Sequence, residues 1–457
     1  MFVRRSLTLG FILATALATA CGSVASKDPD ASVTPTPDAT VGGPDAMVGG
    51  PDAAEVDAGV TACTPSTTTC SSGTLVVCDS NGDIQSQSGC SLGCFDTNRC
   101  NKLDPSNNMA VHLDNAEAQS GVTFSGTATI NTSTGSISDG SGSLSLSTAF
   151  DNSQAVDVFI IRVGSLVAQN INVTGSRALA IVADGSIAIN GKLDVSASAS
   201  TYGAGSHTTD SACVGKNGNS GAGWTGGGGG AFGGAGGRGG LAGTVIGGLG
   251  GTASGNTTLT PLRGGCRGGS SGGGTISGSG GDFEPGGGGG AVQLVSNTAI
   301  TVSFNGDIAA NGGGALGYTG TLTLACFIGQ RCYPGDGGGS GGGILLEAPV
   351  VTVASGGGLF ANGGGGSCFH SNHGSDGLLS TSRAQGGDCN ASNRSGDGGA
   401  STASSGTNAS NLGGTTSNSS GGGGGVGRIR VNQAPGVAFS PAGTVSPPAT
   451  AGNVGTR

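Results

Sequence analysis

The sequence predicts an all-β protein. Its expected architecture is a right-handed parallel β-helix (solenoid) with long glycine-rich side loops, preceded by a small disulfide-rich module and a disordered linker. Three observations lead there. Glycine supplies 99 of 457 residues. A short aliphatic unit recurs at Ala178–Ala199, Ala291–Gly312, Ile344–Gly363 and Gly427–Ala442. Glycine-rich inserts of unequal length separate the copies, at about 196–290, 313–343 and 363–425.

Each unit reads as three short strands with period-2 alternation, broken by Ser, Asn or Gly turns. In the second copy these are Ala291–Val295, Ala299–Val302 and Gly306–Asn311. The first copy has Ala178–Val182, Ser186–Ile189 and Lys192–Val195, and the third has Ile344–Glu347, Val350–Val353 and Gly358–Asn362. The fourth frays through Gly427–Val431, Val437–Phe439 and Gly443–Val445. A unit this short cannot bury its inward face alone, so copies must stack. Upstream, Thr123–Leu146, Val156–Val163 and Leu166–Val173 extend the stack or cap it. The repeat domain spans 109–446, and 447–457 reads as a tail.

The inserts have the composition of a flexible linker. However, Gly233–Gly234–Ala235, Gly236–Gly237–Arg238 and Gly239–Gly240–Leu241 keep a strict period of three. That period belongs to an extended, threefold, left-handed conformation. Several such strands could pack closely through main-chain and Cα–H···O contacts, with the pentaglycines Gly226–Gly230, Gly286–Gly290 and Gly421–Gly425 beside the next copy.

The N-terminus looks like an export signal. Residues 1–20 combine Arg4 and Arg5, an apolar run from Leu7 to Leu17, and a small-residue site, Ala18–Thr19–Ala20, before Cys21. Residues 21–62 form a disordered acidic Pro/Asp/Ala linker with the repeat Pro37–Gly43 and Pro44–Gly50. Such a segment buries too little apolar surface to offset its chain entropy.

Cysteines 63, 70, 78, 90, 94 and 100 crowd into residues 63–102, the density of a module that relies on disulfides for want of a core. Fifteen pairings are open. Within it Asn81–Gly82 signals a hairpin turn, and the alternation of Asp79, Asn81 and Asp83 reads as a plain turn rather than a calcium loop. The other cysteines fall two per insert: Cys213 and Cys266, Cys326 and Cys332, Cys368 and Cys389. Each insert therefore looks stapled to itself. Cys368, His370, His373 and Cys389 offer a weaker zinc alternative.

Net charge is −9, and no basic patch interleaves with aromatics, so a nucleic-acid partner has no electrostatic footing. Gly268–Gly272 and Gly338–Gly342 match a hydrolase serine elbow only as chance allows in glycine tracts. Asp184, Asp194, Asp307 and Glu347 fall in different copies, without the carboxylate cluster that a polysaccharide lyase needs. Lone Trp224 could stack on a sugar or plug its loop. No catalytic residue and no cofactor is expected.

Cys21 and its preceding residues resemble the lipobox of bacterial lipoproteins, which implies acylation of Cys21 after cleavage. Gly22 after it implies delivery to the outer membrane. With the Pro-Asp-Ala linker, the six-cysteine module, and units such as Leu179–Ser196 and Gly287–Ala309, the chain resembles glycine-rich, cysteine-containing surface lipoproteins of Gram-negative bacteria with a β-helix-like repeat domain. The resemblance brings no activity with it. The expected function is therefore a non-catalytic, lipid-anchored outer-membrane or cell-surface protein with a structural or adhesive role. The expected partners are the membrane, through the lipid, and polysaccharide or other surface proteins. A carbohydrate-active β-helix protein binding or cleaving polysaccharide is the alternative.

Overall fold

The computed structural model describes residues 63–153, 156–206, 210–218, 224–272, 284–317, 334–368, 372–390, 393–410 and 419–457. Two compact units divide the chain, Met1–Val60 and Thr61–Arg457. The signal, Cys21 and the linker lie outside the described residues, and every element below belongs to the second unit. No helix among the described residues is long and apolar enough to cross a membrane.

The cysteine module opens with a three-stranded antiparallel sheet, β1 (Thr68–Ser71), β2 (Thr74–Cys78) and β3 (Ile84–Gly89). Gly82 turns the β2–β3 hairpin at φ +89°. Its exposed strands bury almost nothing but cysteine, and three disulfides, Cys63–Cys78, Cys70–Cys94 and Cys90–Cys100, replace a core. Then come β4 (Leu103–Asp104) and the one helix among the described residues, α1 (Ala110–Ala116).

Strands β5 (Val122–Asn131), β6 (Ser136–Asp139), β7 (Gly142–Ser143), β8 (Ser147–Asp151), β9 (Val158–Val163) and β10 (Leu166–Thr174) precede the repeats. The first unit forms β11 (Ala178–Ala183), β12 (Ile187–Ile189) and β13 (Lys192–Asp194). The second forms β14 (Ala291–Ser296), β15 (Ala299–Val302) and β16 (Asp307–Ala309), and the third β17 (Gly343–Glu347), β18 (Val350–Val353) and β19 (Gly358–Phe360). Two short strands, β20 (Asp388–Asn390) and β21 (Asn393–Arg394), pair within the third insert. The chain closes with β22 (Arg428–Gln433), β23 (Thr444–Ser446), β24 (Thr450–Asn453) and β25 (Gly455–Thr456).

Successive units pair in parallel and in register: Leu179 beside Val292, Val292 beside Ile344, Ile344 beside Ile429. The right-handed parallel β-helix expected from the three-strand unit is nevertheless not the architecture. The strands fall into several sheets, and both large ones are mixed. First strands of the units join a seven-stranded sheet, β24-β22-β17-β14-β11-β9-β8, closed by antiparallel β8. Second and third strands join one eleven-stranded sheet around β10, extended by β5 and the antiparallel β6 and β7. The reason lies in strand length. Nine-residue β10 offers one edge to both short followers: Leu166–Ala168 pair with β12, and Ile171–Asn172 with β13. A unit therefore contributes to two sheets, not to three separate faces.

The main core lies between these sheets, with Leu179, Ile181, Val292, Leu294, Ile344 and Leu346 meeting Ile187, Ile300, Val302 and Leu359. The seven-stranded sheet is covered on its other face too. There Ala180, Val182, Val295 and Leu345 pack against Met109, just before α1, and Leu113 of α1, and against Phe232, Leu259 and Leu262 of the first insert. Burial on both faces explains why Ala178–Ala183 reads as a continuous apolar run rather than an alternation.

The fourth unit departs from its expected pattern at Val437–Phe439, which forms no strand. Pro435 and Gly436, at φ +85°, turn the chain there, and the Gln433 side chain instead caps the edge of β18, accepting from the Val351 N–H at 2.6 Å. Residues 447–457, expected as a tail, carry β24 and β25. There β24 pairs with β22, β25 pairs with β4, and Arg457 donates to Asp114 at 2.6 Å.

The glycine inserts are not side loops either. Segment 224–233 is bonded laterally to six neighbours with a three-residue period. Gly227 and Gly230 donate to Gly335 and Gly338, Gly228 and Ala231 to Lys216 and Cys213, and Gly226 and Gly229 to Gly240 and Gly237, at 2.8 to 3.2 Å. The carbonyls of Gly227 and Gly230 accept from Gly422 and Gly425, those of Gly226 and Gly229 from Gly248 and Gly251, and that of Gly228 from Gly269. A β-strand bonds to two neighbours; a threefold extended strand turns its N–H and C=O groups outward in three directions and satisfies them all around. Segments 335–343, 363–367 and 419–427 repeat the arrangement.

No residue of the three pentaglycines has positive φ. Glycine is required here for its missing Cβ. A Cβ on Gly226 would strike the carbonyl oxygen of Ser420, one on Gly229 that of Gly423, and one on Gly424 that of Gly339.

Candidate functional site

The residues singled out in the sequence are mostly consumed by structure. Cys213 is joined to Cys266 and Cys368 to Cys389, so the two sulfurs of the zinc alternative are bonded to each other. Within that alternative His373 accepts the Gly317 N–H through Nδ1 at 2.9 Å, while His370 lies outside the described residues, as do Cys326 and Cys332. The only grouped metal-binding side chains among the described residues are Cys70, Cys90 and Cys94, all of them in disulfides. Asp79 Oδ1 accepts the N–H groups of Asn81 and Asp83 at 2.8 and 2.9 Å, the bonding of a turn.

Of the two serine-elbow matches, Ser270 is half-buried, its N–H donating to Asn217 Oδ1 at 3.0 Å. Ser340 is fully buried, and its hydroxyl bonds to the Cys266 N–H and carbonyl at 2.9 and 3.3 Å. The carboxylates stay apart. Asp184 holds Asn297 at 2.9 Å, Asp194 pairs with Lys192 at 2.7 Å, and Asp307 lies beside Lys192 in the register. Burial pushes the Asp307 carboxyl up, against the opposing pull of Lys192. Glu347 is buried and receives Ser106 N–H and Oγ, Gln293 Nε2 at 2.7 Å and Asn432 Nδ2 at 2.9 Å. It clamps the β4–α1 connection onto the sheet. Trp224 is half-buried, and its carbonyl takes the Ser419 hydroxyl at 2.9 Å.

A cleft of about 310 Å³ opens elsewhere, where the first and third inserts meet the start of β22 and the β23–β24 turn. Its floor is Arg428, at the first position of β22. The Arg428 guanidinium bonds the Ser254 carbonyl through Nε and Nη2 at 3.3 and 3.1 Å, and the Phe232 carbonyl at 3.4 Å. It lies 5.6 Å from the ring centroid of fully buried Phe232, and Arg263 flanks the same ring at 5.1 Å. Arg263 has a carboxylate, Asp210 Oδ2, at 3.3 Å. Arg428 has none among the described residues, and its Nη1 makes no hydrogen bond to them. Burial, then the charge of Arg263, pulls its pKa below the usual guanidinium value.

Thr257, Ser401, Thr402 and Ser404 line the cleft, with exposed Pro448 as an apolar wall and buried Val426, Ile429 and Pro447 beneath. The Ser401 turn is held in place from two sides. Ser401 N–H donates to Ser446 Oγ at 2.8 Å, and Arg383 bonds the carbonyls of Ala403 and Ser405 at 3.3 and 3.0 Å. Chemically the cleft offers, among the described residues, one cation without a carboxylate partner, several hydroxyls without a hydrogen bond and a small apolar wall. Sequence reading missed it because its parts lie near residues 257, 401, 428 and 447, and no motif joins them. The one local signal is the pair of half-buried arginines, Arg428 and Arg430, alternating with the buried Ile429 and Val431 of β22.

No family model, curated protein or solved structure matches the chain.

Proposed function

We propose that the protein is a non-catalytic, lipid-anchored cell-surface protein of a Gram-negative outer membrane, with a structural or adhesive role. The observation that supports this reading best is the glycine lattice. Three inserts distant in sequence are cross-bonded through their backbones into one body on the sheets. Such a body resists deformation and presents few side chains for chemistry. Ser340 and Glu347, two of the side chains with which a hydrolase or lyase would work, are tied up in structural bonds. The disulfides suit an oxidising compartment, and acylated Cys21 supplies the anchor.

The test is fractionation of cells producing the full chain or its Cys21→Ser variant, alongside a cell-cohesion assay. The wild type should sediment with outer membranes, and the variant should be released and lose any cohesion the wild type confers. Retention of the variant in membranes contradicts the anchor. Release of new reducing ends from a polysaccharide panel contradicts the non-catalytic reading.

A further inference from the structure

We propose that the Arg428 cleft binds a carboxylated sugar residue of the uronate type. The ligand must be anionic at one end. Arg428 is a half-buried cation without a carboxylate partner among the described residues, in a protein of net charge −9, and its Nη1 is unspent. A carboxylate reaching Nη1 would gain a charge-assisted hydrogen bond and offset the repulsion from Arg263. The rest of the ligand must be hydroxylated. Thr257, Ser401, Thr402 and Ser404 line the cleft, and their hydroxyls, able to donate or accept, make no hydrogen bond among the described residues.

Size and shape narrow the class further. The volume of about 310 Å³ sits at the low end of small-ligand clefts, roughly 300 to 1,000 Å³, and suits one ring rather than an extended peptide. Exposed Pro448 offers an apolar wall to the C–H face of such a ring. The site is also built in advance. Arg428 is fixed by two carbonyls and the Phe232 ring, and the Ser401 turn by Ser446 and Arg383, so little ordering cost remains for binding. An intact scaffold can exist with this cleft empty, so its failure would leave the surface role standing.

The experiment is calorimetric titration of the full-length protein with D-galacturonate, D-galactose, acetate, inorganic phosphate and trigalacturonate. Galacturonate should bind at least tenfold more tightly than galactose, acetate or phosphate. Trigalacturonate binding as tightly as the monomer assigns a polysaccharide source, and binding of the monomer alone assigns a free sugar acid. Arg428→Gln should weaken galacturonate at least tenfold. Because Arg428 also supports two carbonyls, Thr402→Trp at the exposed rim serves as a second variant that fills the cleft without touching them, and it should weaken binding equally. Absence of galacturonate binding, equal binding of galactose or phosphate, or binding undiminished in both variants would overturn the assignment.

Discussion

Glu347 and Asn432 sit side by side in register on neighbouring parallel strands, both buried, with Asn432 Nδ2 donating to Glu347 Oε1 at 2.9 Å. The same carboxylate takes Gln293 and Ser106, so one side chain joins three strands of the sheet to the segment covering them. Glu347→Ala would leave the buried Asn432 amide without its acceptor and the Gln293 amide with only the Ser106 carbonyl, at 3.1 Å. It should cost about 3 kcal/mol or more, and Glu347→Gln clearly less. Chemical denaturation of the two variants checks the order.

The lattice glycines should tolerate no side chain. Gly424→Ala drives a Cβ into the Gly339 carbonyl and should destabilise by about 3 kcal/mol. Gly126→Ala, on β5 with open space around it, should be neutral or stabilising by up to ~1 kcal/mol. Thermal melts of both variants measure the contrast; equal effects would mean the inserts are not packed.

Two disulfides staple inserts that have few side chains to pack. Cys213–Cys266 closes 53 residues and Cys368–Cys389 closes 21. On loop-entropy arithmetic they are worth about 4 and about 3 kcal/mol. Paired Cys→Ala variants should lower the melting temperature in that order.

Asp336, inside the lattice, is fully buried; its Oδ1 accepts the Ser271 N–H and its Oδ2 has no hydrogen-bond partner among the described residues. Burial pushes its carboxyl up to about 7, from 3.8. The native state therefore holds a proton that the unfolded chain has released, so stability falls as pH rises from about 4 to about 7 and levels off above. The loss is of order 4 kcal/mol at ~1.4 kcal/mol per pH unit. Asp336→Asn should flatten that slope, as pH-dependent unfolding will show.

Much of the strand layout was legible, because short aliphatic alternations such as Ala299–Val302 leave little choice of structure. Their assembly was not. That β12 and β13 would share the edge of β10 depends on the uninterrupted length of β10, and that the outer sheet face would be covered depends on Phe232, an aromatic lost to the eye among glycines. The period of three in Gly233–Leu241 indicated extended strands, yet the partners of each glycine lie up to about 200 residues away, as with Gly230 and Gly425. Arg428 and Glu347 carried no motif; their partners, far off in sequence, decide that Glu347 is fully bonded while Arg428 lacks a carboxylate among the described residues.

Amide hydrogen exchange across the inserts tests the central claim most directly. If the glycine segments form a bonded lattice, amides of 226–230, 335–343 and 421–427 will exchange as slowly as those of β11 and β14. Exchange of those glycines at the rate of a free chain, while β11 and β14 stay protected, would contradict it.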